Sequence, residues 1–426
     1  MKDNNFMYDK YLPYWEQIRT FVTGLNDVKD YIQDVTSDTS VAGTKRNKDY
    51  KDRAIYVNFP DRTRTALVGS VFRKPAQFKL PTKLEYLLYD TNEAGFSLEH
   101  LAKSSVSNIV EVGRHGLLVS YGVNQAKITQ YSAETIKEWY LDETGRLKKV
   151  ELIIGKDEEK HLVLRDGVYT VEIYKEEMLQ TSVQPTDFNG KTFDFIPFII
   201  VGSNDNSPDV DEMPLWKIVD LTRGHLQNSA DYEDAIKWAS VPTPYITGMT
   251  ESFMNTFYQN GEITFGAGSV ITLPDGGSAG VIEVSEKQVA SAAMEQKEAQ
   301  LIKIGARIMT GDSKQQTATA TEIQYSSDNS ILDNIVGNVS EALETCIEWC
   351  GLFMGVQDTE IMYQLNREFY AKNVDPQLIM AQVNLLDRRL MSDIDLLENL
   401  KKYGLIDTDK TIEDIRAELE QYAGGM

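Results

Sequence analysis

Pro214-Leu215-Trp216-Lys217-Ile218-Val219-Asp220-Leu221 opens a run that reads as one helix to about Trp238. Pro214 suits the first helical position, where its missing N–H is harmless. Asp211 and Glu212 stand just upstream, at the positive end of the helix dipole. The run stops at Val241-Pro242-Thr243-Pro244, which cannot continue a helix. A second helix is predicted from Ser285, through the capping pattern Ser285-x-x-Gln288, to about Met309. Between the two lie strand signals at Pro244–Thr247, Glu262–Phe265, Ser269–Leu273 and Gly280–Val284, punctuated by Pro274-Asp275-Gly276-Gly277. Each helix is about 37 Å long at about 1.5 Å per residue. Neither carries a broad apolar face. The second is rich in Ala290, Ala292, Ala293, Ala299 and Ala306, and small residues let neighbouring helices approach closely. The plainer alternative is two ordinary surface helices of an α+β domain.

The second helix leads into Gly311-Asp312-Ser313-Lys314-Gln315-Gln316-Thr317-Ala318-Thr319-Ala320-Thr321. The stretch from Thr310 to Asn329 is polar and long for a connection within a compact domain. A third helix follows, with Ser330-x-x-Asp333 as its cap. Leu332, Ile335, Val336, Val339, Leu343, Cys346, Ile347 and Phe353 form its apolar face, and Glu341, Glu344 and Glu348 lie opposite.

Upstream, Tyr11, Tyr14, Trp15, Ile18 and Phe21 recur at helical spacing, and Thr36 to Asn47 reads as a polar loop. Ile136 to Tyr174 reads as an antiparallel meander, with strands at Leu147–Ile154 and Tyr169–Tyr174 and turns at Glu143-Thr144-Gly145 and Asp166-Gly167. Thr192–Val201 is a candidate buried strand and Ser203–Glu212 an acidic linker. Past residue 366 the chain reads as helical, with one helix opening at Pro376, another at Ser392-x-x-Asp395 and a third from about Thr411.

The 426 residues predict two to three domains with a substantial core. No apolar run approaches the roughly 18 residues of a membrane span, and Met1-Lys2-Asp3-Asn4-Asn5 predicts no secretion signal. Cys346 and Cys350, four apart on one helix, suggest no disulfide framework and fit a reducing cytoplasm. No phosphate-loop spacing is present, since Gly43-Thr44-Lys45 lacks it. Gly113-Arg114-His115-Gly116 reads as a turn without a dinucleotide fingerprint. The four histidines, His100, His115, His161 and His225, lie far apart and read as structural. No metal site, cofactor or catalytic residue is expected.

The net charge of −22 argues against tight DNA binding, which Lys and Arg supply by neutralising phosphates. Its distribution says more. Trp238 to Glu286 and Gln315 to Asn366 contain no Lys or Arg. For an isolated chain this is a solvated acidic face.

Several stretches, in order along nearly the whole chain, resemble one subfamily of tailed-bacteriophage portal proteins, the head-to-tail connectors. They are Tyr50-Lys51-Asp52-Arg53-Ala54 with Asn58, Val68-Gly69-Ser70-Val71-Phe72-Arg73-Lys74, Gly113-Arg114-His115-Gly116-Leu117-Leu118-Val119, Leu226-Gln227-Asn228-Ser229-Ala230-Asp231-Tyr232-Glu233, Val241-Pro242-Thr243-Pro244-Tyr245-Ile246-Thr247-Gly248, Gln316-Thr317-Ala318-Thr319-Ala320-Thr321 and Glu348-Trp349-Cys350-Gly351. In the first 50 residues Tyr31-Ile32-Gln33 stands where the subfamily carries Tyr-Leu-Pro.

The resemblance implies an α+β portal fold, with an N-terminal wing over 1–212, a stem helix over 213–240, a β-rich clip over 241–284 and a second stem helix over 285–310. It further implies a tunnel loop over 311–330, a long tunnel or wing helix over 331–366 and a helical crown or wing region over 367–426. It implies a non-enzymatic virion protein, assembled in the host cytoplasm, that forms a dodecameric ring at one capsid vertex and serves DNA packaging and genome ejection. Its partners would be double-stranded DNA, the terminase large subunit, a head-tail adaptor and capsid or scaffold proteins, with no membrane. On this reading Lys314, Gln315, Gln316, Thr317, Glu341, Glu344 and Glu348 face the DNA channel, and Glu251, Glu262 and Asp275 belong to the docking clip. Lys217, Arg223, Lys237, Lys297, Lys303 and Arg307 are candidate subunit contacts, offsetting the acidic charge. Twelve helices of about 10 Å thickness, side by side, would leave a bore of roughly 28 Å, and six only about 9 Å. The alternative from another class is a non-viral α+β scaffold or adaptor without a DNA role. A nucleotide-independent hydrolase stands third.

Overall fold

The computed structural model describes residues 5–240, 243–257, 271–282, 288–310, 331–356, 360–369, 376–388, 390–402, 412–413 and 415–416. They fall in two compact units, Met1–Arg367 and Glu368–Met426.

The first unit begins with α1 (Asn5–Thr23). Trp15, Ile18 and Phe21 recur on one face and are fully buried, as the helical spacing predicts. Tyr14 is exposed, and its ring packs edge-on against Trp216 at 4.7 Å. The predicted loop at Thr36–Asn47 is a correction. It ends at Ser40, whose hydroxyl accepts the Gly43 amide and caps α2 (Val41–Arg53). Next come α3 (Phe59–Val71), β1 (Gln77–Lys79) and α4 (Leu98–Val112). Gly113 closes α4 at φ +74, with the Glu212 carbonyl 2.4 Å from where a Cβ would sit, so no other residue fits without displacing that loop. The expected turn at 113–116 is thus confined to Gly113, because Arg114 already begins β2 (Arg114–Tyr121).

After β2 run β3 (Ala126–Ser132), β4 (Ile136–Leu141), β5 (Leu147–Gly155), β6 (Glu158–Arg165), β7 (Val168–Lys175), β8 (Met178–Val183) and β9 (Phe198–Gly202). The buried strand predicted at Thr192–Val201 forms only from Phe198, directly after Pro197, which cannot donate to a ladder. Strands β3-β2-β9 make one antiparallel sheet, and β4 to β8 a five-stranded meander in sequence order. At the β6–β7 hairpin Asp166 and Gly167 both take positive φ, the two-residue turn that matches strand twist. One meander face buries Trp139, Val150, Leu152 and Leu162. Cross-strand register on the other aligns Glu138, Glu151, His161 and Glu172.

Then follow α5 (Trp216–Ser240), β10 (Thr243–Thr247), α6 (Glu251–Phe257), β11 (Ser278–Ile282), α7 (Gln288–Thr310), α8 (Ile331–Met354) and β12 (Met362–Gln364). Pro214 lies in a turn two residues ahead of α5 rather than at its first position. Helix α8 packs on the β3-β2-β9 sheet and on α4. Leu332, Ile335, Val336, Val339, Leu343, Cys346, Ile347 and Phe353 are all buried, as is Cys350. The helix expected over 331–366 stops at Met354. Gly355 follows at φ +64, and the chain returns as β12 to pair with β1. The expected cap residue Ser330 lies outside the described residues, and the Asp333 carboxylate is gripped by Arg367 with two bonds of 2.7 Å.

The second unit holds α9 (Pro376–Asp387), opening at the expected proline, and α10 (Asp393–Lys402). Ser392 and Asp395 cap α10 reciprocally, and Arg416 pairs with Asp393. The helix predicted from Thr411 lies mostly outside the described residues.

Candidate functional site

The central feature is the pair α5 and α7. Ile218, Val219, Thr222, Leu226 and Ala230 recur at helical spacing and are buried, which fixes the inward face of α5. The pair runs antiparallel. Thr243 faces Ile282 across the β10–β11 ladder, while His225 Nε2 meets Glu298 Oε1 at 3.1 Å some turns away. His225 is buried, with the Phe59 ring edge-on at 5.6 Å.

Helix α2 anchors α5 through charge. The Asp234 carboxylate accepts from Arg46 Nη1 and Nη2 at 2.9 and 2.5 Å and from Arg53 Nη1 at 2.5 Å. One turn back, Tyr50 donates to Asp231 at 2.7 Å and accepts from Gln227 at 2.8 Å. Burial and the Asp231 carboxylate push the Tyr50 phenol well above its ordinary value. Sequence reasoning missed this anchor because α2 buries only Gly43 and Tyr50. The available signal was Arg46 and Arg53 seven apart, on one helix face.

The other half of the pair is held far less. Among the described side chains of α7, only Leu301 is buried, and Ile302 is 71% exposed. Of the candidate contact residues, Lys217, Arg223, Lys237 and Lys303 are exposed and Lys297 is half-buried. Arg223 pairs with Asp220 at 2.7 Å, and the stem of Lys297 runs beside Gly224. The Arg307 side chain lies outside the described residues.

At the far end of the pair, β10 and β11 form a two-stranded ladder from Thr243↔Ile282 to Thr247↔Ser278. Its hydroxyls meet at 2.9 Å between Thr247 and Ser278. Glu251 opens α6, a short helix absent from the sequence reading, and Asp275 sits in the turn before β11, both exposed. The strand signal at Glu262–Phe265, with the candidate docking residue Glu262, lies outside the described residues. So do Lys314, Gln315, Gln316 and Thr317.

On α8 the three acidic residues separate. Glu341 and Glu348, two turns apart, are exposed. Glu344 is half-buried and accepts the Tyr363 amide of β12 at 3.0 Å. Glu341 accepts from Asn206 Nδ2 at 3.1 Å, which ties it to the acidic stretch 203–212. That stretch is no free linker. Arg114, fully buried with its guanidinium 4.0 Å from the Trp139 ring, donates to the Pro208 carbonyl at 2.8 Å. Burial pushes Arg114 down to about 9, against the favourable field of Asp209 and Asp211. The Asn204 amide donates to Asp211, and Ser203 Oγ donates to the Glu212 carbonyl.

Outside the helix pair, one set of potential metal ligands comes together among the described residues, Glu151, Glu159 and His161 on the meander. Nothing in their sequence spacing announced it, because strand register creates it. No helix among the described residues is long and apolar enough to cross a membrane.

A family model described as a domain of unknown function, DUF4055, matches residues 214–354, the span from the turn before α5 to the last residue of α8. No curated protein matches the chain. Several solved structures are similar. A chain in the virion of a native gene transfer agent particle shares 14% identity over 79% of this chain and 86% of that one, with a TM-score of 0.44. A chain in the neck of the native particle, computed with C12 symmetry, shares 14% over 80% and 89%, also at 0.44. A phage portal protein of the HK97 family from Corynebacterium diphtheriae shares 9% over 74% and 93%, with a TM-score of 0.33.

Proposed function

We propose that this chain is a portal subunit, a non-enzymatic protein that closes into a ring at one capsid vertex and passes double-stranded DNA inward during packaging and outward at ejection. The observation that carries the reading is α7. A 23-residue helix that buries only Leu301 among its described side chains gains little stability from packing within its own chain. Neighbouring copies would cover its remaining faces. The ordered series of sequence resemblances, from Tyr50 to Gly351, says what such an assembly is for.

In this assembly α5 and α7 form the stem, about 37 Å long in α5 at about 1.5 Å per residue. The β10–β11 ladder with α6 forms the clip that docks the terminase large subunit and later the head-tail adaptor. Residues 311–330, with Lys314 to Thr317, form the tunnel loop, and Glu341 and Glu348 present carboxylates toward the channel. Glu344 contributes less, because it is half-buried and its carboxylate accepts the Tyr363 amide of β12. Twelve copies follow from the resemblance. Repulsion between carboxylates and phosphates keeps the duplex from settling into a bound state at each step.

Native mass spectrometry and negative-stain microscopy of the purified chain test the proposal. Rings with a central opening wide enough for a duplex are expected. A chain that stays monomeric under all assembly conditions would overturn it and favour a scaffold without a DNA role.

A further inference from the structure

The outward face of the meander carries a donor set that the portal reading does not use. Glu151 on β5 and His161 on β6 are direct cross-strand partners, and Glu159 lies two residues before His161 on the same face. Ligand atoms of all three lie within 4.8 Å of one another. His161 Nε2 stands 3.0 Å from Glu159 Oε2 and 3.9 Å from Glu151 Oε2.

The other oxygen of each carboxylate is already held. Lys149 Nζ bonds Glu151 Oε1, and Lys137 Nζ bonds Glu159 Oε1 at 2.6 Å. The lysines therefore orient both carboxylates so that both Oε2 atoms converge on one imidazole nitrogen. Outer partners that fix ligand orientation in this way are a regular part of metal sites. The Tyr174 ring packs against His161 at 4.4 Å between centroids and limits its rotation. Glu151 and His161 are each only about a tenth exposed, and Glu159 about a third. An open cleft lined by Asp157, Glu159, Tyr174, Glu176 and Glu177 adjoins the cluster and supplies an acidic approach from solvent.

The spacing suits a small cation. Tetrahedral zinc with bonds of about 2.0–2.2 Å places adjacent ligand atoms roughly 3.3–3.5 Å apart. The two observed separations lie on either side of that value, so small side-chain shifts would close the site. One imidazole nitrogen with two carboxylate oxygens favours zinc over calcium or magnesium, which take oxygen ligands.

We propose that Glu151 Oε2, Glu159 Oε2 and His161 Nε2 bind one zinc ion that joins β5 to β6, with water completing its coordination. The competing arrangement is a plain hydrogen bond from His161 to Glu159 with no metal.

The test uses the full chain, stripped of metal and titrated with zinc chloride by calorimetry, with thermal unfolding followed in parallel. One equivalent of zinc is expected to bind and to raise the melting temperature. His161→Gln and Glu159→Gln should each weaken that binding by at least about tenfold and remove the thermal shift. His100→Gln, at an exposed histidine elsewhere, should change neither. Circular dichroism checks that each variant is folded. Glu159, the most exposed of the three ligands, decides the matter if His161→Gln does not fold. Absence of zinc binding, or binding equally strong in the folded variants, overturns the site.

Discussion

Ile302→Glu separates folding from assembly. Ile302 sits on α7 and is 71% exposed within one chain. Full burial of an isoleucine side chain is worth about 1.5–3 kcal/mol. Covering the remaining exposed share in a ring would therefore contribute about 1–2 kcal/mol per subunit contact. A carboxylate at the same place forfeits that gain and adds a desolvation penalty, for a total of about 3 kcal/mol per contact. That is roughly a hundredfold in each contact's equilibrium constant. Since a closed ring repeats the contact once per subunit, the concentration for half-assembly should rise steeply. The isolated chain should hardly notice, because the position is solvated and a glutamate suits a helix as well as isoleucine does. A change within about 0.5 kcal/mol is expected for its unfolding. Mass photometry across a dilution series reads assembly, and urea unfolding reads the monomer. Rings forming at the wild-type concentration would refute the claim that this face of α7 lies between copies. A large loss of monomer stability would show instead that Ile302 supports the fold.

Asp234→Asn should destabilise the chain by about 2 kcal/mol in urea unfolding, since Arg46 and Arg53 both lose the opposite charge and one acceptor oxygen while keeping partial access to water. A loss under about 0.5 kcal/mol would mean that α2 is not anchored by charge. His115 is fully buried, and burial, reinforced by the nearby Arg19 cation, pushes it down to about 3. Above its unfolded value of about 6.5 neither state is protonated, and as pH falls the unfolded chain takes the proton first. Stability is thus lost between about pH 6.5 and about pH 3, and about 2 kcal/mol of it is gone from about pH 7.5 to about pH 5. His115→Leu should flatten that part of the profile, and an unchanged slope would place the acid sensitivity elsewhere. Glu344→Ala should cost about 1 kcal/mol and speed exchange of the Tyr363 amide, whereas Glu348→Ala should stay within about 0.5 kcal/mol. Equal effects would contradict the distinct surroundings of the two carboxylates.

What the sequence revealed depended on whether a residue's role is set by its neighbours in the chain or by register and packing. Trp15, Ile18 and Phe21 lie on one helix face by period alone, and all three are buried. Asp166-Gly167 announces its hairpin because positive φ is cheap there. The turn at Glu176-Glu177 takes the same positive φ without a glycine, so β8 went unread. Helix α2 escaped for a different reason. It has almost no apolar face and is fixed by guanidinium bonds to Asp234, 188 residues from Arg46. The acidic residues of α8 make the same point within one element. Glu341, Glu344 and Glu348 share a polar face in the sequence, yet β12 returns to place a backbone amide on Glu344, and Asn206 places its side-chain amide on Glu341. Were this face to line a channel, it would not be a uniform row of charges, because Glu341 and Glu344 are each bonded to their own chain while Glu348 is simply exposed. The residues that bind and position are those whose partners come from distant strands and helices, and local spacing carries little record of them.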